Sequence, residues 1–500
     1  MKKILLLSGA IALMAGTGCK KDYLDTIPTE QVDAGSIFTN TTNADAALNG
    51  IYRYMFERTT TTTSNAQGKP GVPGILLGID HMGEDLHQAS ATWFTSTGEG
   101  NYVGARTDNS AVTLYYYRTF FRMIGNANYI IDNIDAAAGS DADKARIKAE
   151  ALTIRAYSYS YLVQFYGKRY NAAAKPNVQL AVPLLLKSTD TKMPRVSVEE
   201  VYAAIVSDLD QAIALNASRV NKSHADVNVA KGLRARVALT MQDYPNAIKY
   251  AKEVVDSKLY PLMSQTQYLS GFNNAPGLSE VIWACMPSAD QDDAFGSFFA
   301  QIAYNANTSY QRGTPKRINS ALYELIPATD VRKKLWEPNP TAVNFPLPSA
   351  SFSRSLYMSR KFAVKDPASG SLGDVPLMRT SEMYLILAEA YAKSGQEGLA
   401  QDALFTLKQA RDTEAVRPTT SGTALVNDIM INRRVELWGE GFRYLDLKRL
   451  NLPLDRTVVP NYVATSVAGK MQIPAGDVQW EFFIPRGEIE ANPNIGPQNP

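Results

Sequence analysis

The chain is poor in the residues that carry most covalent and metal chemistry. Its 500 residues include only two cysteines and three histidines. Cys19 and Cys285 could form one disulfide at most, so stability has to come from burial, for which the chain is long enough. Cys285 follows an apolar run and reads as a buried core thiol. The sequence has no His-Glu-x-x-His, no Cys-x-x-Cys, no Gly-x-Ser-x-Gly elbow and no P-loop. Gly98, Gly100 and Gly104 miss the dinucleotide-binding spacing by one residue and fall in a loop, not after a strand. His81 and His87 share a segment with Asp80, Glu84 and Asp85, but in no standard metal-ligand pattern, and the expectation there is a solvated polar loop. No metal, no cofactor and no catalytic residue is expected. The carboxylate pair of a glycoside hydrolase needs no local motif, so an extracellular glycoside hydrolase stands as one alternative reading.

Charge of one sign is lacking as well. Lys2 and Lys3 precede a short apolar stretch, Ile4 to Ala15, which is too short to span a bilayer and reads as an export signal. Gly16-Thr17-Gly18-Cys19 places small residues directly before a cysteine, as at a lipoprotein cleavage site, so residues 1–18 are read as signal peptide and Cys19 as the acylated first residue. With Cys19 acylated, no intramolecular disulfide remains. Cleavage removes two of the 51 basic residues and leaves 49 against 49 acidic ones. A neutral chain argues against nucleic acid or an anionic lipid surface as its main partner. No later apolar run approaches membrane-spanning length, and no Pro/Ser linker or charge run divides the chain after residue 30. Residues 19–500 are therefore read as one domain.

What is present is helical periodicity. Met383, Ile386, Leu387, Ala390 and Tyr391 line one face of a helix that Thr380 or Ser381 could cap and Gly395 could end. Ala400, Ala403, Leu404 and Leu407 repeat the spacing in the next segment. Two amphipathic helices joined so closely must fold back on each other to hide both stripes. Ala235, Ala238 and Ala247 stand at the same internal spacings as Ala388, Tyr391 and Ala400, a tetratricopeptide-like pattern. Four helix pairs are predicted: 44–57/114–134, 142–166/197–215, 229–242/245–256 and 381–394/397–411. Ser197 and Glu200 read as a capping box. The dense aromatics from Tyr157 to Tyr166 read as core packing. The fold class is thus mainly α, a tetratricopeptide-like scaffold with repeats over about 44–257 and 377–450.

Large stretches lie outside this periodicity. Thr59 to Gly74 reads as a structural break and Ile75 to Thr113 as a long excursion between helices. About Pro261 to Val375 reads as a loop-rich insertion with one or two short strands, such as Val281-Ile282-Trp283-Ala284. A third helix is expected near Leu425 to Trp438. Its charged run looks like an internal ion-pair network with local partners, Arg433 to Glu436 and Glu440 to Arg443.

The string from Ile431 to Arg449, RR-x-EL-x-GEG-x-R-x-x-DLKR, resembles the signature of the SusD/RagB family. Tyr23-Leu24-Asp25 with Pro28, Asp330-Val331-Arg332, and the end from Phe483-Ile484-Pro485 through Gln498-Asn499-Pro500 resemble further landmarks of that family. The resemblance implies a SusD-like lipoprotein held at the outer membrane by its lipid and facing outward. It implies capture of glycans, or in some relatives peptides, for a SusC-like TonB-dependent transporter. A tetratricopeptide-type adaptor for protein partners is the other alternative. Sugar rings pair apolar C–H faces with rims of hydroxyls, which aromatic and polar loop residues can meet. The site is expected where loop 75–113 meets insertion 261–375, with Trp93, Tyr102, Tyr304 and Tyr310 as ring platforms and Asn101 and Arg312 as polar partners.

Overall fold

The computed structural model describes residues 38–58, 68–90, 99–218, 220–293, 295–366 and 370–500. Cys19, the Tyr23–Asp25 segment and Trp93 lie outside them. Among the described residues the longer helices are α1 Thr41–Phe56, α2 Gly71–His81, α3 Ala111–Asn133, α4 Asp141–Tyr166, α5 Val198–Leu215, α6 Val227–Thr240, α7 Tyr244–Asp256, α8 Thr380–Lys393, α9 Glu397–Arg411 and α10 Gly422–Glu436. The expected pairs form: α1 packs on α3, α4 on α5, α6 on α7 and α8 on α9.

Local chemistry explains most of the helix ends. The side chains of Asn40, Ser110, Ser140, Asp226 and Asp243 each accept a first-turn backbone N–H. Ser197 and Glu200 form the full capping box at α5. Gly395 at φ +73° ends α8, where the Gln396 N–H returns to the Tyr391 carbonyl at 2.9 Å. The start of α8 differs from expectation. Thr380 and Ser381 are already helical, and their hydroxyls donate to the Tyr260 carbonyl (2.7 Å) and to Glu280 (3.2 Å) instead of capping.

The two repeat blocks, far apart in sequence, are neighbours in space. Helix α8 packs directly against α7. The intervening insertion leaves and returns through an antiparallel strand pair, Val281–Cys285 against Val375–Arg379, with Val281 opposite Arg379 and Cys285 opposite Val375. Cys285 is a buried free thiol. Inside the insertion lie short helices and two-residue strands. A small sheet has the order Leu86–His87, Arg317–Ile318, Met358–Ser359, Trp336–Glu337, all antiparallel. Leu86 opposite Ile318 joins the 75–113 stretch to the insertion.

One helix is a correction. The stretch read as break and excursion contains α2, and every residue of α2 is buried. A helix that is apolar on all sides has no stripe to betray it. Gly71 is required at its start: φ is +50°, and a Cβ there would stand 2.1 Å from the Met55 carbonyl oxygen. The polar residues after it are not solvated. Asp80, His81, Glu84, Asp85 and His87 are all buried. His87 stacks on Tyr462 with centroids 4.8 Å apart, and Asp80 accepts the backbone N–H groups of Gly441 (3.0 Å) and Arg443 (3.2 Å). Burial drives the Asp80 carboxyl up to about 7 despite those two bonds.

The charged run after α10 also departs from expectation. The local pairs Arg433–Glu436 and Glu440–Arg443 do not form. Gly439 and Gly441, at φ +79° and +83°, turn the chain so that both glutamates face inward. Arg379 reaches Glu280, Glu436 (2.9 Å) and Glu440 (2.6 Å). Arg411 joins Glu280 (2.7 Å) to Glu436 (3.0 Å), and Lys361 meets Glu440 at 2.6 Å. Arg332, beside its own Asp330 at 2.6 Å, approaches Glu436 at 3.4 Å. Arg433 pairs with Asp446 (2.7 Å), Arg434 with Asp85 (2.5 Å), and Arg443 with Glu84. Burial pushes the Glu436 carboxyl up, but the charges of Arg411, Arg379 and Arg332 outweigh it and hold it well below the usual carboxylate range. The network clamps the insertion to the repeat helices.

Candidate functional site

A recess opens at the C-terminal end of α1. It encloses about 410 Å³, within the ~300–1,000 Å³ typical of small-molecule sites. Four segments build it. The end of α1 contributes Arg53 and Phe56 to Arg58; α2 contributes Pro73; the insertion contributes Asp290 to Asp293 and Gly296 to Phe299; the approach to the returning strand contributes Ser371 to Gly373 and Val375.

Backbone turns hold the polar groups in place. Asp293 accepts the Gly296 N–H at 2.9 Å and receives Arg58 at 2.9 Å. Ser297 caps the short helix Phe298–Ile302 through the Ala300 N–H and donates to Ser371 at 2.8 Å. Ser371 in turn donates to Asp292 at 3.3 Å. Burial raises the Asp292 carboxyl, against the opposing pull of the Ser371 N–H and hydroxyl. The floor is apolar: Phe298 and Phe299 are buried, and Gly373 is small because a Cβ there would meet the Phe299 ring at 2.5 Å. Phe295, between the lining residues Asp293 and Gly296, exposes 46% of its surface. Carboxylates, hydroxyls, two guanidinium groups and phenyl faces therefore converge on one opening. That is an inventory for recognising a ligand of hydroxyls and C–H faces. Among the described residues no group of three His, Cys, Asp or Glu could hold a metal ion.

The structure distributes the residues chosen from sequence. Trp93 lies outside the described residues. Tyr102 is a correction: it is a core residue, 1% exposed, with its hydroxyl on the Met82 carbonyl at 2.9 Å and its ring edge-on to Trp480. Asn101 accepts the Val103 N–H at 3.0 Å and closes its own turn. Tyr310 is buried at the margin of the cleft, close enough to Arg58 to feel its charge, but its ring is not open to a ligand. Tyr304 is half-buried, edge-on to Phe345 at 5.5 Å, and Phe345 also carries Arg360 at 4.2 Å. Arg312 is half-buried, and its Nε has no hydrogen-bond partner among the described residues. Neither Tyr304 nor Arg312 lines the cleft. The cleft residues that sequence reasoning passed over, Arg58, Asp292, Asp293, Ser297 and Ser371, sit in irregular loops without periodicity. The run Ser288-Ala289-Asp290-Gln291-Asp292-Asp293 before Phe295 and Gly296 was the available signal.

A helical-repeat scaffold, an insertion clamped to it by buried arginines and an open polar cleft define the class of fold. Residues 280–500 match the SusD family, and residues 23–239 match a SusD-like family described as starch-binding associating with outer membrane. The chain belongs to the SusD/RagB family. A SusD-like protein P2 of Formosa agariphila is 23% identical over 98% of each chain, and a SusD-like protein of Bacteroides ovatus 22% identical over 66% of each. Among solved structures, a SusD-like carbohydrate binding protein of Bacteroides vulgatus superposes with a TM-score of 0.78 at 27% identity, covering 92% of this chain and 98% of that one. Surface glycan-binding protein A of Bacteroides thetaiotaomicron, solved in complex with laminarihexaose, shares the fold with a TM-score of 0.71 at 17% identity, covering 92% of this chain and all of that one.

Proposed function

We propose that this protein is a non-catalytic, cell-surface lipoprotein that captures glycans and delivers them to a SusC-like TonB-dependent transporter in the outer membrane. The observation that carries the reading is the open cleft on a SusD fold, with hydroxyl-binding groups above buried phenyl rings. The names of the relatives support it: one is called a carbohydrate binding protein, and another was solved with a bound glucan. The cleft is the primary ligand site in this reading, with Asp292, Ser371 and Arg58 meeting hydroxyls and Phe295 offering a ring face. Tyr304 and Arg312 extend it along the insertion. Trp93 stays in the proposal as a ring platform. Cys19 carries the lipid that tethers the protein.

A calorimetric screen of the chain against a panel of oligosaccharides tests the ligand. The expected result is saturable binding of at least one glycan without its hydrolysis. Hydrolysis of the bound glycan, or no binding across the panel, overturns the reading. Cys19→Ala should release the protein from the membrane fraction. Crosslinking in whole cells should recover a large β-barrel partner, and recovery of the free monomer alone speaks against delivery.

A further inference from the structure

A second recess, sharing no lining residue with the cleft, lies at the C-terminal end of α4, against the segment Gly476–Glu481. It encloses about 200 Å³, the liquid volume of about seven waters, and so suits one ring unit and not a chain segment. Glu481 lines it and is 6% exposed, yet its carboxylate receives no hydrogen bond among the described residues. Gln179 lines it too, with a buried side-chain oxygen that lacks a partner. The nearby cation does not satisfy them: the Lys448 ammonium donates to the carbonyls of Gln164 (2.6 Å), Gly167 (2.8 Å) and Trp480 (2.5 Å), which uses all three of its protons. The Glu481 carboxylate and the Gln179 side-chain oxygen therefore have no protein donor among the described residues, and a ligand that donates would satisfy them.

The remaining lining selects among donors. Lys168, Arg169 and the amide of Asn451 supply donors at the mouth, so a ligand must accept as well as donate. Leu447, Leu452 and Trp480 supply an apolar strip. With Lys168, Arg169 and Lys448 against Asp477 and Glu481, the lining has no excess of negative charge to favour a cation. Hydroxyls both donate and accept, and a sugar ring carries several of them around C–H faces. We infer that this recess, built from Glu481, Gln179, Lys168 and Leu452, is a second carbohydrate site that takes one neutral monosaccharide unit, separate from the cleft.

Saturation-transfer NMR of the full chain with glucose, galactose, mannose and N-acetylglucosamine, and with alanyl-alanine as a counter-probe, tests this. Leu452 is exposed, so Leu452→Trp fills the mouth without touching the core. At least one sugar should receive signal from the unaltered chain and from the cleft variant Asp292→Ala, and lose it in Leu452→Trp. Glu481→Gln should weaken that sugar about tenfold or more, and if this variant fails to fold, Leu452→Trp carries the test. The inference is overturned if no sugar receives signal, if only the dipeptide does, or if signal survives Leu452→Trp. Loss in Asp292→Ala with retention in Leu452→Trp would assign the sugar to the cleft, upholding the proposed function while removing the second site.

Discussion

Around Glu436, four chain segments bring arginines or lysine onto three carboxylates, and each acid is saturated by cations from elsewhere in the sequence. Around Asp292, a comparable density of acids meets hydroxyls, backbone N–H groups and only two guanidinium groups, and stays open to solvent. The same side-chain types hold the fold together in one place and leave binding capacity free in the other. Closure decides which: the first group is almost wholly buried, so every charge needs a partner inside the protein, whereas the second leaves part of its hydrogen bonding to whatever enters.

The largest effect should come from breaking the closed region. Glu436→Ala removes the one carboxylate that Arg379, Arg411 and Arg332 share and leaves less compensating charge around three buried cations; removal of one partner from a buried pair costs about 3–5 kcal/mol. Urea unfolding should show a loss of that size; a change below about 1 kcal/mol would place Glu436 with surface ion pairs. The pH response comes next. Asp80 has a folded-state value near 7, above its ordinary 3.8. Its contribution is fully present below 3.8 and is lost as pH rises towards 7, by at most about 4 kcal/mol. Glu436, Glu440 and Asp446 are held low and act oppositely, losing stability as pH falls through their depressed values. Stability measured across this range should fall more steeply with rising pH in the unaltered chain than in Asp80→Asn; parallel curves would refute the Asp80 assignment.

The open region should respond in affinity and not in stability. Asp292→Ala should weaken a cleft-bound glycan by about 1.5–3 kcal/mol, the worth of a hydrogen bond to a charged group, with the melting temperature nearly unchanged. Phe295→Ala, at an exposed ring, should cost about 1–1.5 kcal/mol of affinity, roughly tenfold. If either variant unfolds the protein, the contrast between the two regions fails at that residue.

Sequence reading captured the scaffold because amphipathic helices announce themselves every three or four residues, as at Met383, Ile386 and Leu387. It missed α2 because Gly71 to His81 is buried on every side and has no polar face to alternate with. It found the Glu436 network but assigned neighbours as partners, since the actual partners, Glu280, Arg332, Lys361, Arg379 and Arg411, are joined only by the tertiary fold. At the site, aromatic identity could not separate Tyr102, packed on Trp480, from the exposed Phe295. Burial decides that difference, and residue type does not encode it.

The strand pair Val281–Cys285 and Val375–Arg379 forms a neck through which the whole insertion leaves and rejoins the repeats. Because the neck fixes the two ends side by side, the length of chain between them enters the folding free energy only logarithmically, at about 0.6 kcal/mol per doubling. Exposed loops within residues 286–374, away from the clamping Arg332 and Lys361, can therefore lengthen or shorten while the helices beneath keep their register. The architecture separates support from variation: the repeats and the buried clamp keep one geometry, and the loops around the cleft are free to change.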